Sequence, residues 1–433
     1  MQHNRIITAN RVIYQDEIFP DLMDRFGYRS KKHEQLILIL DLIDVDSVYP
    51  RRIWDCFFGR PKFDRQAFLK AFIAMIVWHI QTAEMLRERL AADKFLRSIC
   101  GFDYRRSRLP SMSTFSRAFA ELSMLNIGDK VHELLIAEHC SSALYEHTSI
   151  DASAIAVAEK AVATKKPPSG AEIKQAKAAL KELAKQEKLA LKETRKQAKA
   201  LLKTKCMQAL TNTQDLCAVA LVIPQQSITA AVADVVKNNA AKANAILQLR
   251  KKKYTAKDQL AQTNSEIFTS LPVVCNYGSK HDSNGNQHTW KGYKLHIAVN
   301  DYNIPVAAMV TSASTHDSLC AIPLIRITEQ RIDNLYYLMD KGYDSSAIRT
   351  ETDSHGKVAL IDFNHRGDKN DTRKFDPNER RHYGNRAFSE SCFSNLKMQY
   401  LPGYILYRGI SKVKCLLNLA LSVITATQII KYA

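Results

Sequence analysis

Leu335 to Met339 read "LYYLM", and the chain continues at once into "DKGYD". Five apolar or aromatic residues with no polar alternation describe a short strand buried on both faces. Such a strand needs a layer above and a layer below it, so the surrounding chain must build a sheet covered by helices. The strand also ends on an acid, Asp340. A carboxylate at a buried strand end is costly unless it is paired or bound to a cation.

Other segments supply the rest of a sheet. "LYEHTSIDASAIAV" (144–157) is rich in β-branched and aromatic residues and reads as a strand carrying Asp151. In "TWKGYKLHIAVND", Tyr293, Leu295, Ile297 and Val299 alternate with Lys294, His296 and Ala298, the pattern of a half-buried strand. "IPVAAMVTSAS" (304–314) completes a hairpin with it, and "KVALIDF" (357–363) is a further strand. Asp317 stands where it can cap the helix "SLCAIPLIRITEQRI". The order β, insert, β, β, α, β, α, β, α predicts a mixed α/β sheet. In it the first and fourth strands can be neighbours, which would bring Asp151 and Asp340 to one edge.

"YGNRAFSESCFSNLKMQY" (383–400) reads as a helix with an unusual stripe. Tyr383, Arg386, Glu390 and Lys397 are separated by three, four and seven residues, which at 3.6 residues per turn keeps all four on one face. A solvated face with an ordinary Arg/Glu pair is one account of it. The other is that Glu390 joins Asp151 and Asp340 in a carboxylate triad. Three acids without a nearby His or Cys suit a hard, oxygen-loving cation, Mg²⁺ or Mn²⁺, and such a triad can hold two ions. Taken singly, each Asp reads better as an ordinary cap or turn residue.

The remainder is helical in texture. In residues 1–140, "RQAFLKAFIAMIVWHI" (65–80) is apolar nearly all round and so a buried helix. "TAEMLRERLAADKFLRSICGF" follows as one helix, with Thr82 as cap and Gly101 as stop. Phe115, Phe119 and Leu122 mark another helix, entered through Pro110 and Ser111 or Ser113. Arg105, Arg106, Arg108 and Arg117 are candidates for DNA docking there, against the alternative of a plain helical bundle; the connection is too long for a compact helix-turn-helix turn. Between the first and second strands, about 156–286, lies a basic and mostly helical insert. Its stretch 171–205 holds ten lysines and one arginine against four glutamates. Ile173, Ala176, Leu180 and Leu183 begin a heptad that decays at Glu187, favouring a solvated helix or short hairpin over a coiled coil.

Lys and Arg number 62 against 44 Asp and Glu, a net charge of +18, which suits a polyanionic partner such as nucleic acid. The nine cysteines form no CxxC or zinc-type quartet, the pattern of reduced thiols in the cytoplasm. The N-terminus carries charges and no apolar core of signal-peptide length. "CLLNLALSVITATQII" is too short and polar to span a bilayer and reads as a buried helix, so no membrane partner is expected.

"SIDASAI", "LMDKGYDS" and "YGNRAFSESCFSNLK" resemble the three catalytic blocks of bacterial insertion-sequence transposases of the DDE type. The spacing of Tyr383, Arg386, Glu390 and Lys397 matches that family's Y-R-E-K signature, and "WKGYKLHIAV", "VTSASTHDS" and "PSMSTFSRAF" also look like it. The resemblance implies a ribonuclease H-like catalytic domain over 141–433, interrupted by the insert, behind an all-helical DNA-binding or assembly domain over 1–140. It implies Asp151, Asp340 and Glu390 as catalytic metal ligands for Mg²⁺. Tyr383 and Arg386 would hold phosphates, and Lys397 would contact terminal nucleotides; Lys341 and His316 are lesser candidates for the rim. The implied partners are double-stranded DNA, both inverted repeats and target, and a second copy of the chain. The implied activity is cleavage and strand transfer; a silent DNA-binding descendant and a nuclease without strand transfer are the alternatives. Some relatives carry a β-rich insert between the second Asp and the Glu. Here that interval is only 50 residues, so a role drawn from that insert does not carry over.

Overall fold

The computed structural model describes residues 30–49, 63–102, 109–162, 254–281, 285–365 and 373–432, with single helical positions between 174 and 200. The predictions for Arg105, Arg106, Arg108 and the heptad from Ile173 to Leu183 lie outside the described residues. Two compact units are distinguished: one drawn from residues 1–163 and 255–433, the other from 164–254. In the second unit, the described positions, such as Lys174, Lys181, Lys188 and Lys196, are helical and exposed, with Lys185 and Glu182 3.8 Å apart.

The first unit is built on a six-stranded mixed sheet: β1 (Leu144–Ala156), β2 (Asn276–His281), β3 (Gln287–Asn300), β4 (Pro305–Ser312), β5 (Asp333–Met339) and β6 (Val358–Ile361). The path β2-β3-β1-β5-β6 is joined by β4 on β3. β1 runs antiparallel to β3 and parallel to β5, which is parallel to β6. β2 falls inside the stretch that the sequence assigned to a helical insert, and is preceded there by the short helices Ala256–Gln259 and Asn264–Ser270. β3 is long enough to pair with β2 by its first half and with β1 and β4 by its second. Gly292 is the pivot: its φ is +154°, and a Cβ there would fall well inside contact with the Ile155 carbonyl oxygen.

The half-buried character expected of β3 is corrected for its second half, because from Leu295 to Asn300 both faces are covered. Tyr293, Leu295, Ile297 and Val299 face a helical layer that includes Arg65–Val77, Met112–Met124 and the C-terminal helix Ile410–Tyr432. His296 and Ala298 on the other face are equally buried. That side is filled by the helix Ser318–Glu329 through Cys320, Ile322 and Leu324. Ile410–Tyr432 is the one helix, among the described residues, long and apolar enough to cross a bilayer, and 83% of its most apolar window is buried inside the protein. Its Asn418 is satisfied by Asp129 at 2.9 Å.

The helical N-terminal segments follow their sequence signals with one break. Thr82 caps through Met85 N–H, but the helical stretch expected between Thr82 and Gly101 is two helices, Ala83–Ala92 and Lys94–Ile99. Asp93 leaves helical geometry and caps the second through Leu96 N–H. Gly101 stops it with φ +85°. These helices share one core with the sheet face and the C-terminal helix.

Candidate active site

Register alone brings the two aspartates together. Ile150 pairs with Met339 across parallel β1 and β5, so the next residues, Asp151 and Asp340, come side by side where β5 ends and β1 continues alongside β3. Met339 pairs in turn with Ile361, which puts Asp362 at the end of β6. Asp340 also has the turn role open to it from sequence: its Oδ1 accepts from Gly342 N–H at 2.9 Å and caps the 3₁₀ turn Lys341–Tyr343.

The stripe-bearing segment is a continuous right-handed run. Asp376 and Glu379 form a reciprocal capping box, and Pro377 takes the first helical position. The chain passes from the α-helix Pro377–Tyr383 through a 3₁₀ turn, Gly384–Arg386, into the α-helix Ala387–Asn395 and a π-turn, Leu396–Tyr400. Ser389, Cys392, Phe393, Leu396 and Tyr400 are its buried side. It lies along one face of β1 and is stitched to it in order. His147 meets His382, with 2.9 Å between Nε2 and Nδ1. Ser149 Oγ lies within hydrogen-bond distance of the Arg386 carbonyl (3.1 Å) and of Ser389 Oγ (2.9 Å). Arg386 Nη1 stands 3.9 Å from Asp151 Oδ2. Lys397 Nζ donates to Ser153 Oγ at 2.6 Å.

Arg386 is the hub. Its other terminal nitrogen is bonded to Glu390, so the guanidinium joins Glu390 to Asp151. Of the two accounts of the stripe, the Arg/Glu pair is therefore present, on a face that is also turned to Asp151. Burial pushes the Asp151 carboxyl up to about 6, and the charge of Asp340 adds to the rise. The Ala152 N–H, Arg386 and Lys280 oppose it. Burial also raises Tyr383 to about 12; Arg386 pulls it down, and the charges of Asp362, Asp340 and Asp151 push it further up. The Lys397 ammonium is lowered by burial and by Lys280, against the pull of Asp151. All six sequence-predicted residues thus stand around the place where β5 ends beside β1. Lys341 and His316 do not bond to them: His316 Nδ1 pairs with Ser318 Oγ at 2.8 Å, and the Lys341 carbonyl receives Asn364 Nδ2 at 3.4 Å.

Three further groups near these acids, Asp362, Lys280 and Tyr343, were not singled out from sequence, and a fourth, Asp317, was read only as a helix cap. Asp362 closes a strand just as Asp340 does, and the "ID" of "KVALIDF" was the available signal. Lys280 lies on β2, which was not read as a strand. Asp317 forms no cap; it accepts from Lys294 Nζ at 2.9 Å. Tyr343 is fully buried within reach of the charges of Asp317, Asp151 and Asp340, and its hydroxyl has no hydrogen-bond partner among the described residues.

The donor set fits a hard divalent cation. Asp151, within β1, and Asp340, just past the end of neighbouring β5, offer carboxyl oxygens side by side; burial raises the Asp151 carboxyl, and the buried Tyr343 hydroxyl near them has no hydrogen-bond partner among the described residues. Added positive charge with coordinated water would relieve both.

Residues 262–425 match the family model of a transposase DDE domain, and residues 24–121 match that of a second transposase domain (DUF772). The first match covers β2 to β6 and the stripe-bearing segment; the second covers helices of the N-terminal region. No curated protein and no solved structure matches the chain. A transposase DDE domain and a second transposase domain on one polypeptide support an insertion-sequence transposase.

Proposed function

We propose that this protein cuts DNA at the inverted-repeat ends of its own mobile element and joins those ends to target DNA. The observation carrying this reading is the side-by-side emergence of Asp151 and Asp340, with Arg386 linking Asp151 to Glu390. The sheet path, with β1 between β3 and β5, is compatible with a ribonuclease H-like domain.

In this reading Asp151, Asp340 and Glu390 hold Mg²⁺, or Mn²⁺ in its place, as one or two ions. Bound there, the divalent cation supplies positive charge to the attacking and leaving oxygens of a phosphoryl transfer. The chain's own residues do the rest. Arg386 presents a planar fork that matches a phosphate as well as it matches Glu390, so DNA competes for it with the carboxylates. Tyr383, kept protonated far above neutral pH, donates its O–H to a phosphate oxygen. Lys397, already placed beside Ser153, contributes a point charge near the terminal nucleotides. Water cleaves one phosphodiester to leave a 3′-hydroxyl. That hydroxyl then attacks a target phosphate and displaces its bridging oxygen, so one P–O bond forms for each one broken. Two ends must be held together for joining, which favours a homodimer on DNA.

The test is cleavage and joining of linear DNA carrying the element's own ends, with Mg²⁺. Asp151→Asn, Asp340→Asn and Glu390→Gln should each lower cleavage by at least about a hundredfold, with end binding retained in a mobility-shift assay. Retained cleavage in one variant removes that residue from the triad. Cleavage without joining by the wild type would assign a nuclease instead, and binding without cleavage a silent descendant.

A further inference from the structure

A second cluster of ligating side chains is centred on His147, which precedes Asp151 by four residues on the same face of β1. Among the described residues Glu146, His147 and His382 bring one donor atom each within 4.8 Å of one another. His147 Nε2 and His382 Nδ1 are 2.9 Å apart, and Glu146 Oε1 is 3.4 Å from His382 Nδ1. We propose that Glu146, His147 and His382 form a zinc site that clamps the start of the stripe-bearing segment to β1.

The surroundings are those of a built metal site. Asp301, in the turn between β3 and β4, accepts from the backbone N–H groups of Glu146 and His147 at 2.8 and 2.9 Å and lies 2.9 Å from His147 Nδ1. A carboxylate on Nδ1 fixes the proton there and leaves the Nε2 lone pair aimed at His382, the carboxylate–histidine arrangement that supports metal-bound imidazoles. Tyr336 stacks on both rings, at 5.5 Å from His147 and 4.7 Å from His382, and fixes their planes. His147 is 3% exposed, whereas Glu146 is open to solvent, so an ion has one buried anchor and one accessible side. Asn385 Nδ2, 3.3 Å from His147 Nδ1, packs against the same ring.

The donor chemistry separates this site from the acidic one. Two imidazoles and one carboxylate with room for water are a zinc-type set, and imidazoles are poor ligands for Mg²⁺. Zinc here would act through position: it joins β1 to the turn that immediately precedes Tyr383 and Arg386. It does not depend on the chain being a transposase.

The experiment is zinc uptake by the full-length protein after chelator treatment, followed by calorimetric titration with Zn²⁺ alone and by thermal melting. The wild type should take up about one equivalent, with a rise in Tm that millimolar Mg²⁺ does not reproduce. His382→Ala should lower the affinity by at least about a hundredfold and abolish the rise. Glu146→Gln, at an exposed position that leaves folding untouched, should weaken binding, and Asp301→Asn should weaken it about 10- to 100-fold. Co²⁺ in place of zinc should give ligand-field bands without thiolate charge-transfer absorption. The proposal is overturned if the wild type binds no zinc at micromolar concentrations. Binding unchanged in both His382→Ala and Glu146→Gln, or a thiolate signature, overturns it equally.

Discussion

At the scale of single residues, Asp151 carries a measurable burden. Its folded carboxyl titrates near 6, against an ordinary 3.8, chiefly because it is buried. The folded protein therefore binds a proton that the unfolded chain has released between those values. The contribution of this group is best below about pH 4 and is lost as pH rises through 6. Asp151→Asn should thus raise stability by roughly 1–3 kcal/mol at pH 8 and leave it unchanged at pH 4. Mg²⁺ should stabilise the wild type at pH 8 more than the variant. Melting curves at the two pH values, with and without Mg²⁺, check both. Equal destabilisation at both pH values would mean that Asp151 acts through packing and not through its charge.

How legible these residues were in sequence depended on periodicity. Tyr383, Arg386, Glu390 and Lys397 stood out because a helix with a polar stripe beside a buried one breaks the expected pattern. Asp151 and Asp340 could be paired because a parallel crossover permits their strands to be neighbours. Asp362 had the same strand-end signal but no helix pointing to it. Lys280 was hidden because "NYGSKH" has no apolar alternation; its strand is held by pairing with β3, and Lys280 itself is exposed. The lost cap at Asp317 is a tertiary effect: Lys294 competes for its carboxylate across the sheet.

Among the elements, the junction of β1 with β3 is the most demanding. Gly292 lets β3 change partners, and the Ile155 carbonyl occupies the space a side chain would need. Gly292→Ala should force the strands apart four residues beyond Asp151. The expected loss is about 1–3 kcal/mol, the range of an overpacked core site, read from the denaturant midpoint. An unchanged midpoint would show that β3 can pivot without this contact. Neither Gly292 nor the two-faced burial of β3 was visible in the alternation of "GYKLHIAV", because alternation reports side-chain chemistry. His296 is polar yet buried: it meets Thr311 Oγ1 at 2.9 Å, and burial lowers its pKa to about 4, keeping it neutral.

For the whole molecule, the charge excess is uneven. The Lys-rich stretch 171–205 belongs to a unit separate from the sheet, and its described lysines are exposed. Binding to a terminal-repeat duplex should weaken by about a hundredfold or more between 50 and 200 mM salt. Replacing six lysines of that stretch with glutamine should flatten the salt slope in fluorescence anisotropy and leave the cleavage position unchanged. An unaltered slope would return the stretch to the role of a solvated helix.

The ordered stitching of the stripe-bearing segment to β1 has a metrical consequence. From His382 to Lys397 a helix advances roughly 22 Å, and from His147 to Ser153 a strand advances roughly 20 Å. Fifteen steps of one spiral therefore keep pace with six of a ribbon, as two scales of a vernier do. One residue added to or removed from the helix would turn everything beyond it by about 100°, while the strand marks stayed where they are. Substitution can be absorbed locally along this pair, but a change of length within 382–397 cannot.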